Sequence, residues 1–358
     1  MPRPRVLLIV MLALMPWLGV PWLAGCAPKL APPGPASAAP LLSESAPAGA
    51  TLETNDEESG AALGTYITRD GYYLLLRRWL PENEPVAVVL ALHGFNDHST
   101  FIVDAAKAWR ERGIATYAYD QRGFGTAPHR GLWAGSAAYA QDAADALTLL
   151  REEYPGRPVY LLGESMGGAI ALVTLTRHPD VEVDGAILSA PAVWSRDTMP
   201  FYQRWGLLLS SYTVPWLTLT GSNLDIQASD NIDALIALGR DPLVIKETRI
   251  DAMHGLTDLM DEALATAPKF ERNALFLYGE KDELVPQDPM LSLWQHLPAA
   301  AAGKQRRALY ENGWHLLFKD LEAELVIDDV ATWMVDQSAP LPSLADRDAE
   351  QRLLTLDN

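Results

Sequence analysis

The sequence predicts an α/β fold: a mostly parallel central sheet flanked by helices, with a helical cap inserted into it. Three observations predict this. Short, continuously apolar runs recur along the chain, as expected of strands buried on both faces. They alternate with segments of helical period, which implies parallel pairing through right-handed crossovers. The alternation breaks near residue 194 and resumes near 256. With 358 residues, 49% of them hydrophobic, the chain can bury one substantial core.

The elements follow in order. TYITRDGYYLLLRRWL (65–80) reads as a hairpin, because two strand-like runs flank Asp70-Gly71, a tight-turn pair. VAVVLALHG (86–94), IATYAYD (114–120), RPVYLLGES (157–165) and GAILSAP (185–191) read as buried strands. Helical patterns cover 99–112, 137–154 and 166–178. After the interruption come a helix at 256–267, strand NALFLYG (273–279), a helix at 288–297, strand RRALYEN (306–312) and a helix at 318–335. The core therefore comprises 61–193 and 256–337. The cap is expected at 194–255, a stretch rich in Trp, Leu and Pro with no clear strand.

Both ends read differently from the core. Arg3 and Arg5 precede an apolar run and then Leu23-Ala24-Gly25-Cys26, the pattern of a secretory leader. The tetrapeptide resembles a bacterial lipobox, so 1–26 is expected to be a lipoprotein signal, with Cys26 the acylated residue. Two or more acyl chains anchor stably where one does not. An ordinary cleaved signal and an uncleaved membrane anchor are the alternative readings; a lipoprotein is expected at the bacterial cell envelope, on the periplasmic side or the outer membrane. Residues 27–60 (APPGPASAAP, then TNDEESG) read as a flexible tether. The tail 338–358 reads as polar and poorly ordered. Cys26 is the sole cysteine, which excludes an intramolecular disulfide and the Cys₄ and C-x-x-C readings.

Charge narrows the function classes. There are 46 acidic and 28 basic residues, for a net charge of −18. Such a chain repels phosphate backbones, so no nucleic-acid partner is expected. It gains no attraction from an anionic bilayer. Membrane contact must come from the anchor or from apolar surface.

Gly163-Glu164-Ser165-Met166-Gly167 matches G-x-S-x-G between an apolar strand and a helix, the context of a nucleophile elbow. Gly163 and Gly167 leave room for a sharp turn that projects Ser165. A serine hydroxyl needs a base. Of seven histidines, His315 lies just after the last strand, in NGWH. Loops at strand C-termini are where such sheets place their sites. Asp282, in GEKDELVP after the preceding strand, is the acid expected to orient the imidazole. The oxyanion is assigned to the N–H groups of Met166, next to the nucleophile, and Phe95, in the loop HGFNDH after strand 86–94. No cofactor is expected. A metal reading of His93, Asp97 and His98 has no further sequence element behind it.

LHGFNDHS (92–99), YDQRGFGTAPHRG (119–131), GESMGG (163–168), GRDPL (239–243), YGEKDELVP (278–286) and NGWH (312–315) together resemble the monoacylglycerol lipase and lysophospholipase branch of the α/β-hydrolases, often grouped with S33-type serine aminopeptidases. The chain departs from that branch in having Asn96-Asp97 where a Glu before His98 is usual, Thr126 for a common Ser, and Glu164 for a frequent His. The resemblance implies an α/β-hydrolase fold, cleavage of carboxylic esters such as monoacylglycerols or lysophospholipids, and a cap that covers the acyl site. Two other readings stand beside it: a serine peptidase or other acyl hydrolase on the same fold, and a non-catalytic lipid-binding lipoprotein.

Overall fold

A computed structural model describes residues 27–45, 59–221 and 226–355. Residues 1–26, with the leader and Cys26, lie outside the described residues. Nine strands form one sheet: β1 (Leu41–Ser43), β2 (Ala62–Ile67), β3 (Tyr73–Trp79), β4 (Ala87–Leu92), β5 (Ile114–Tyr119), β6 (Val159–Glu164), β7 (Gly185–Ser189), β10 (Ala274–Gly279) and β11 (Gln305–Tyr310). Their spatial order is β1-β2-β3-β5-β4-β6-β7-β10-β11. The first four are joined by antiparallel pairings, and from β5 onward every pairing is parallel. This is the mostly parallel, helix-flanked sheet that the alternation predicts, in the form that the resemblance implies.

Alternate residues of each buried strand feed two cores, as a period of two requires. Val88, Leu90 and Leu92 of β4 pack with helices α2 (Ser136–Glu153), α3 (Met166–Arg177), α6 (Ile250–Thr266) and α7 (Gln287–His296). Val89 and Ala91 face α1 (Val103–Glu111) and α8 (Ala323–Val335). The sheet order reverses direction at β4, whose neighbours are β5 and β6. Loops after β4 and β6 therefore sit side by side above the sheet, where an open α/β sheet forms its ligand crevice.

The cap holds α4 (Phe201–Thr213), α5 (Ile232–Arg240) and a two-stranded antiparallel sheet of β8 (Thr218–Thr220) and β9 (Glu247–Arg249). The core resumes at Ile250, earlier than the expected 256. The cap strands are three residues each, too short to show a period.

Two terminal expectations are corrected. Residues 27–45 do not hang free: Ala31 N–H donates to the Trp133 carbonyl (2.7 Å), Tyr72 OH to the Pro32 carbonyl (2.6 Å), and β1 pairs with β2. The tail also packs. Leu341 and Leu353 are fully buried, α9 (Ala349–Thr355) lies against β11 and α7, and Arg307 pairs with Glu350. Polar composition hid these single apolar anchors.

Candidate active site

β6 runs buried into Ser165, whose φ of 52° and ψ of −114° put a non-glycine residue in a strained region. Neighbouring strands hold the strain. Ser165 N–H donates to the Ser189 carbonyl (2.9 Å), and the Ser165 carbonyl accepts from Ala192 (2.9 Å) and Ala169 (3.1 Å). A Cβ on Gly163 would overlap the Gly167 carbonyl, and one on Gly167 would overlap the Leu92 carbonyl of β4. The glycines are thus required by close approach. α3 begins at Met166, so its positive N-terminal end lies beside the serine.

Asp282 and His315 come from adjacent strands, β10 and β11. Asp282 Oδ1 accepts the N–H groups of Leu284 (2.8 Å) and Val285 (2.9 Å). That fixes the carboxylate and turns Oδ2 to His315, whose Nδ1–H donates to it at 2.8 Å. The Lys281 N–H to Gly313 carbonyl bond (3.0 Å) joins the two loops. Both side chains are buried. Burial pushes the His315 pKa down, but the Asp282 carboxylate, together with the acidic Glu164 and Asp320, outweighs it and the net shift is upward. With Nδ1 carrying the proton to Asp282, Nε2 is the nitrogen left to act as a base. Among the described residues the structure brings His315 and Asp282 into a hydrogen bond but makes none between His315 and Ser165. Such contacts commonly tighten only when substrate binds.

The loop after β4 lies against the elbow: a Cβ built on Gly94 would sit 3.4 Å from Ser165 Cβ. The N–H groups of Phe95 and Met166 donate to no acceptor among the described residues, so both are available to a developing oxyanion. The Phe95 ring stacks edge-on with Phe124 (5.5 Å) and near Trp133 (6.3 Å). The cap grips this loop. Asn96, at φ 67°, donates from Nδ2 to Thr248 Oγ1 (2.6 Å) and accepts from Ile245 N–H (2.9 Å). His98 Nε2 meets Asp241 Oδ2 at 2.9 Å. The cap also ties to the histidine loop, through Leu316 N–H to the Ala228 carbonyl (3.0 Å) and Ser229 Oγ to Asp320 Oδ1 (2.6 Å).

His93 is engaged elsewhere. Its Nδ1–H donates to the Gly94 carbonyl (2.7 Å), its Nε2 accepts Gln121 N–H (3.0 Å), and burial lowers its pKa. Asp97 accepts the His98 N–H (2.8 Å). A neutral imidazole with both nitrogens used fits a loop brace rather than a ligand.

Two residues of this site carry no assignment from the sequence. Asp120, fully buried, accepts from Ser99 N–H (3.0 Å), Arg77 (3.3 Å), and Thr126 N–H and Oγ1 (2.8 Å each). It binds the loops after β4 and β5 into one unit. Thr126 supplies the hydroxyl that the commoner Ser would. Glu164 is buried beside the nucleophile, and neither carboxylate oxygen has a partner among the described residues. Burial, reinforced by Asp97, pushes its pKa up to about 8.

A strained serine turn after β6 and an aspartate-bound histidine after β11 thus stand at the same C-terminal end of this sheet. Residues 83–322 match the sequence profile of the family described as serine aminopeptidase, S33, and the chain belongs to that family. It is 26% identical over 294 residues to the monoacylglycerol lipase of Mycolicibacterium smegmatis, covering 79% of this chain and 98% of that one. It is 24% identical to the Homo sapiens monoglyceride lipase, covering 76% and 90%. A soluble variant of Saccharomyces cerevisiae monoglyceride lipase, solved with a substrate analog, shares the fold at a TM-score of 0.60 and 20% identity, covering 75% and 92%.

Proposed function

We propose that the protein hydrolyses carboxylic esters of lipids, monoacylglycerols or lysophospholipids, through Ser165, His315 and Asp282, and that acylation of Cys26 holds it at the bacterial cell envelope. The observation that carries this reading is the 2.8 Å bond from His315 Nδ1 to Asp282 Oδ2, at the same C-terminal end of the strands as the elbow. Ser165 Oγ attacks the ester carbonyl carbon while His315 Nε2 takes its proton. The N–H groups of Phe95 and Met166 hold the oxyanion. Collapse breaks the bond to the alkoxy oxygen, which leaves as the alcohol with the proton from His315. Water then attacks the acyl-enzyme by the same route, releasing the acid and restoring Ser165.

The ester reading draws on relatives whose names say lipase and on the apolar cap above the loops. A fluorophosphonate probe tests the nucleophile: wild type labels and Ser165→Ala does not. A panel of monoacylglycerols, lysophospholipids, p-nitrophenyl esters and aminoacyl amides tests the substrate. Preference for the amides would replace the lipase reading with a peptidase, and absence of both labelling and turnover would favour a lipid-binding protein.

A further inference from the structure

The main chain on both sides of His315 is held from the cap. Trp314 N–H, on one side, donates to Asp320 Oδ2 (2.7 Å). Leu316 N–H, on the other, donates to the Ala228 carbonyl of the cap (3.0 Å). Asp320 belongs to the same grip, because its Oδ1 accepts from Ser229 Oγ (2.6 Å). Both side chains are buried, Ser229 fully. One carboxylate therefore joins the loop that carries His315 to the cap residue next to Ala228.

Neighbouring bonds stiffen this contact. Asn231 caps α5, its Oδ1 accepting Ala234 N–H (3.2 Å), while its Nδ2 donates to the Lys319 carbonyl (2.9 Å). Leu321 N–H donates to Asp230 Oδ1 (2.9 Å). Gln227 N–H reaches the other loop, donating to Glu283 Oε2 (2.6 Å), next to Asp282. The two loops differ in how they are fixed. Asp282 is set by N–H groups of its own loop, those of Leu284 and Val285. The N–H groups flanking His315 go to Asp320 and the cap instead.

We propose that cap segment 227–231 is a positioning element for the general base, acting on His315 through Ser229 and Asp320. This rests on the reading of His315 as that base. An imidazole bound to Asp282 through Nδ1 can still pivot about that bond. The backbone on either side then decides whether Nε2 points at Ser165, and a misplacement of about 1 Å can cost about 10²-fold in rate. The cap is thus part of the frame of the relay as well as its cover. Asp230, His315 and Glu164 face Asp320 electrostatically, and burial pushes its pKa up to about 6. Once ionised, Asp320 also raises the His315 pKa.

The test uses the full chain with p-nitrophenyl butyrate, at temperatures well below unfolding. Ser229→Ala and Asp320→Ala should each lower kcat about tenfold with KM within about twofold of wild type, the split expected when the reacting group is misplaced. Asp320→Asn keeps the shape and an acceptor for Trp314 N–H, so it should recover most of the kcat that Asp320→Ala loses. It also removes the charge, so the acid limb of kcat/KM should move to lower pH. Ser136→Ala is the control for stability alone: it deletes a bond of the same kind, Ser136 Oγ to Glu262 Oε2 (2.6 Å), between α2 and α6, and should leave kcat unchanged. Unchanged kcat in Ser229→Ala overturns the proposal, and this variant keeps the test decisive if Asp320→Ala does not fold. A loss equal to that of Ser136→Ala, or one confined to KM, overturns it as well. Fluorophosphonate labelling of wild type at Ser165 reports the hydrolase reading separately: without it that reading fails, and with it the Ser229→Ala result judges the cap segment alone.

Discussion

Asp241 Oδ2 accepts a hydrogen bond from His98 Nε2 at 2.9 Å, joining the cap to the loop that carries Phe95. Burial lowers the His98 pKa, but Asp241 and its acidic neighbours raise it overall. Burial also opposes ionisation of Asp241, and the His98 bond outweighs it, so that carboxyl titrates below its usual range. The pair therefore stabilises the fold from above the ordinary carboxylate range, and this is lost as pH rises through the elevated His98 value. Asp241→Ala should lower kcat about tenfold, roughly 1.4 kcal/mol, by loosening the Phe95 donor. The gap in Tm between wild type and variant should be widest near pH 5–6 and narrow toward pH 9. A gap that widens with pH would contradict the ion pair.

Asp282 raises the His315 pKa against burial. Asp282→Asn removes that carboxylate and can impose the wrong tautomer. The expected loss in kcat is about 10⁴-fold, with KM little changed. The acid limb of the residual activity should move to lower pH, since burial alone favours the neutral ring. Pre-steady-state acylation rates across pH measure both effects. Retained kcat would show that another acid orients His315.

Glu164 stands next to Ser165 with its carboxyl buried and, among the described residues, unpartnered. Asp97, Lys319, His315 and Asp320 act on it, yet burial dominates and holds the pKa at about 8. In the unfolded chain a glutamate titrates near 4.5, so the folded state binds the extra proton between those values. Stability contributed by Glu164 must fall as pH rises from about 4.5 to about 8. Glu164→Gln removes this dependence. It should have little effect on Tm at pH 5 and raise Tm relative to wild type at pH 9. Parallel melting curves over that range, with no pH-dependent difference, would mean that the carboxyl ionises freely.

What could be read from sequence follows from how each feature is encoded. Strands β4, β6 and β10 are buried on both faces, and a continuous apolar run is an unambiguous record of that. The elbow was legible because close approach demands glycine at 163 and 167. The placement of Asp282 and His315 beyond adjacent strand ends was legible because each follows an apolar, strand-like run. The docking of residues 27–45 was not, because they are held through backbone N–H and carbonyl groups and through Gly34, none of which distinguishes them from a loose linker. Glu164 was visible only as a departure from a pattern. The charges that act on it, Asp97, Lys319 and Asp320, arrive from distant loops, which no local window contains.

The tail offers a direct measure of the last correction. Leu353 is fully buried, its carbonyl takes a hydrogen bond from Gln287 Nε2, and α9 contacts β11 and α7. Arg352 pairs with Glu280, two residues from Asp282, so the tail also braces the turn that holds the acid. Leu353→Ala deletes a core side chain and leaves a cavity, which destabilises by about 2–5 kcal/mol. Arg352→Ala removes a partly exposed ion pair, for which about 1 kcal/mol or less is expected. Urea denaturation of the two variants should therefore separate them clearly, with unchanged m-values. Equal, negligible losses would show that 338–358 contributes nothing to the fold. A large loss for Leu353→Ala with unchanged kcat below the transition would show that the tail stabilises the core while the Asp282 turn holds its own geometry.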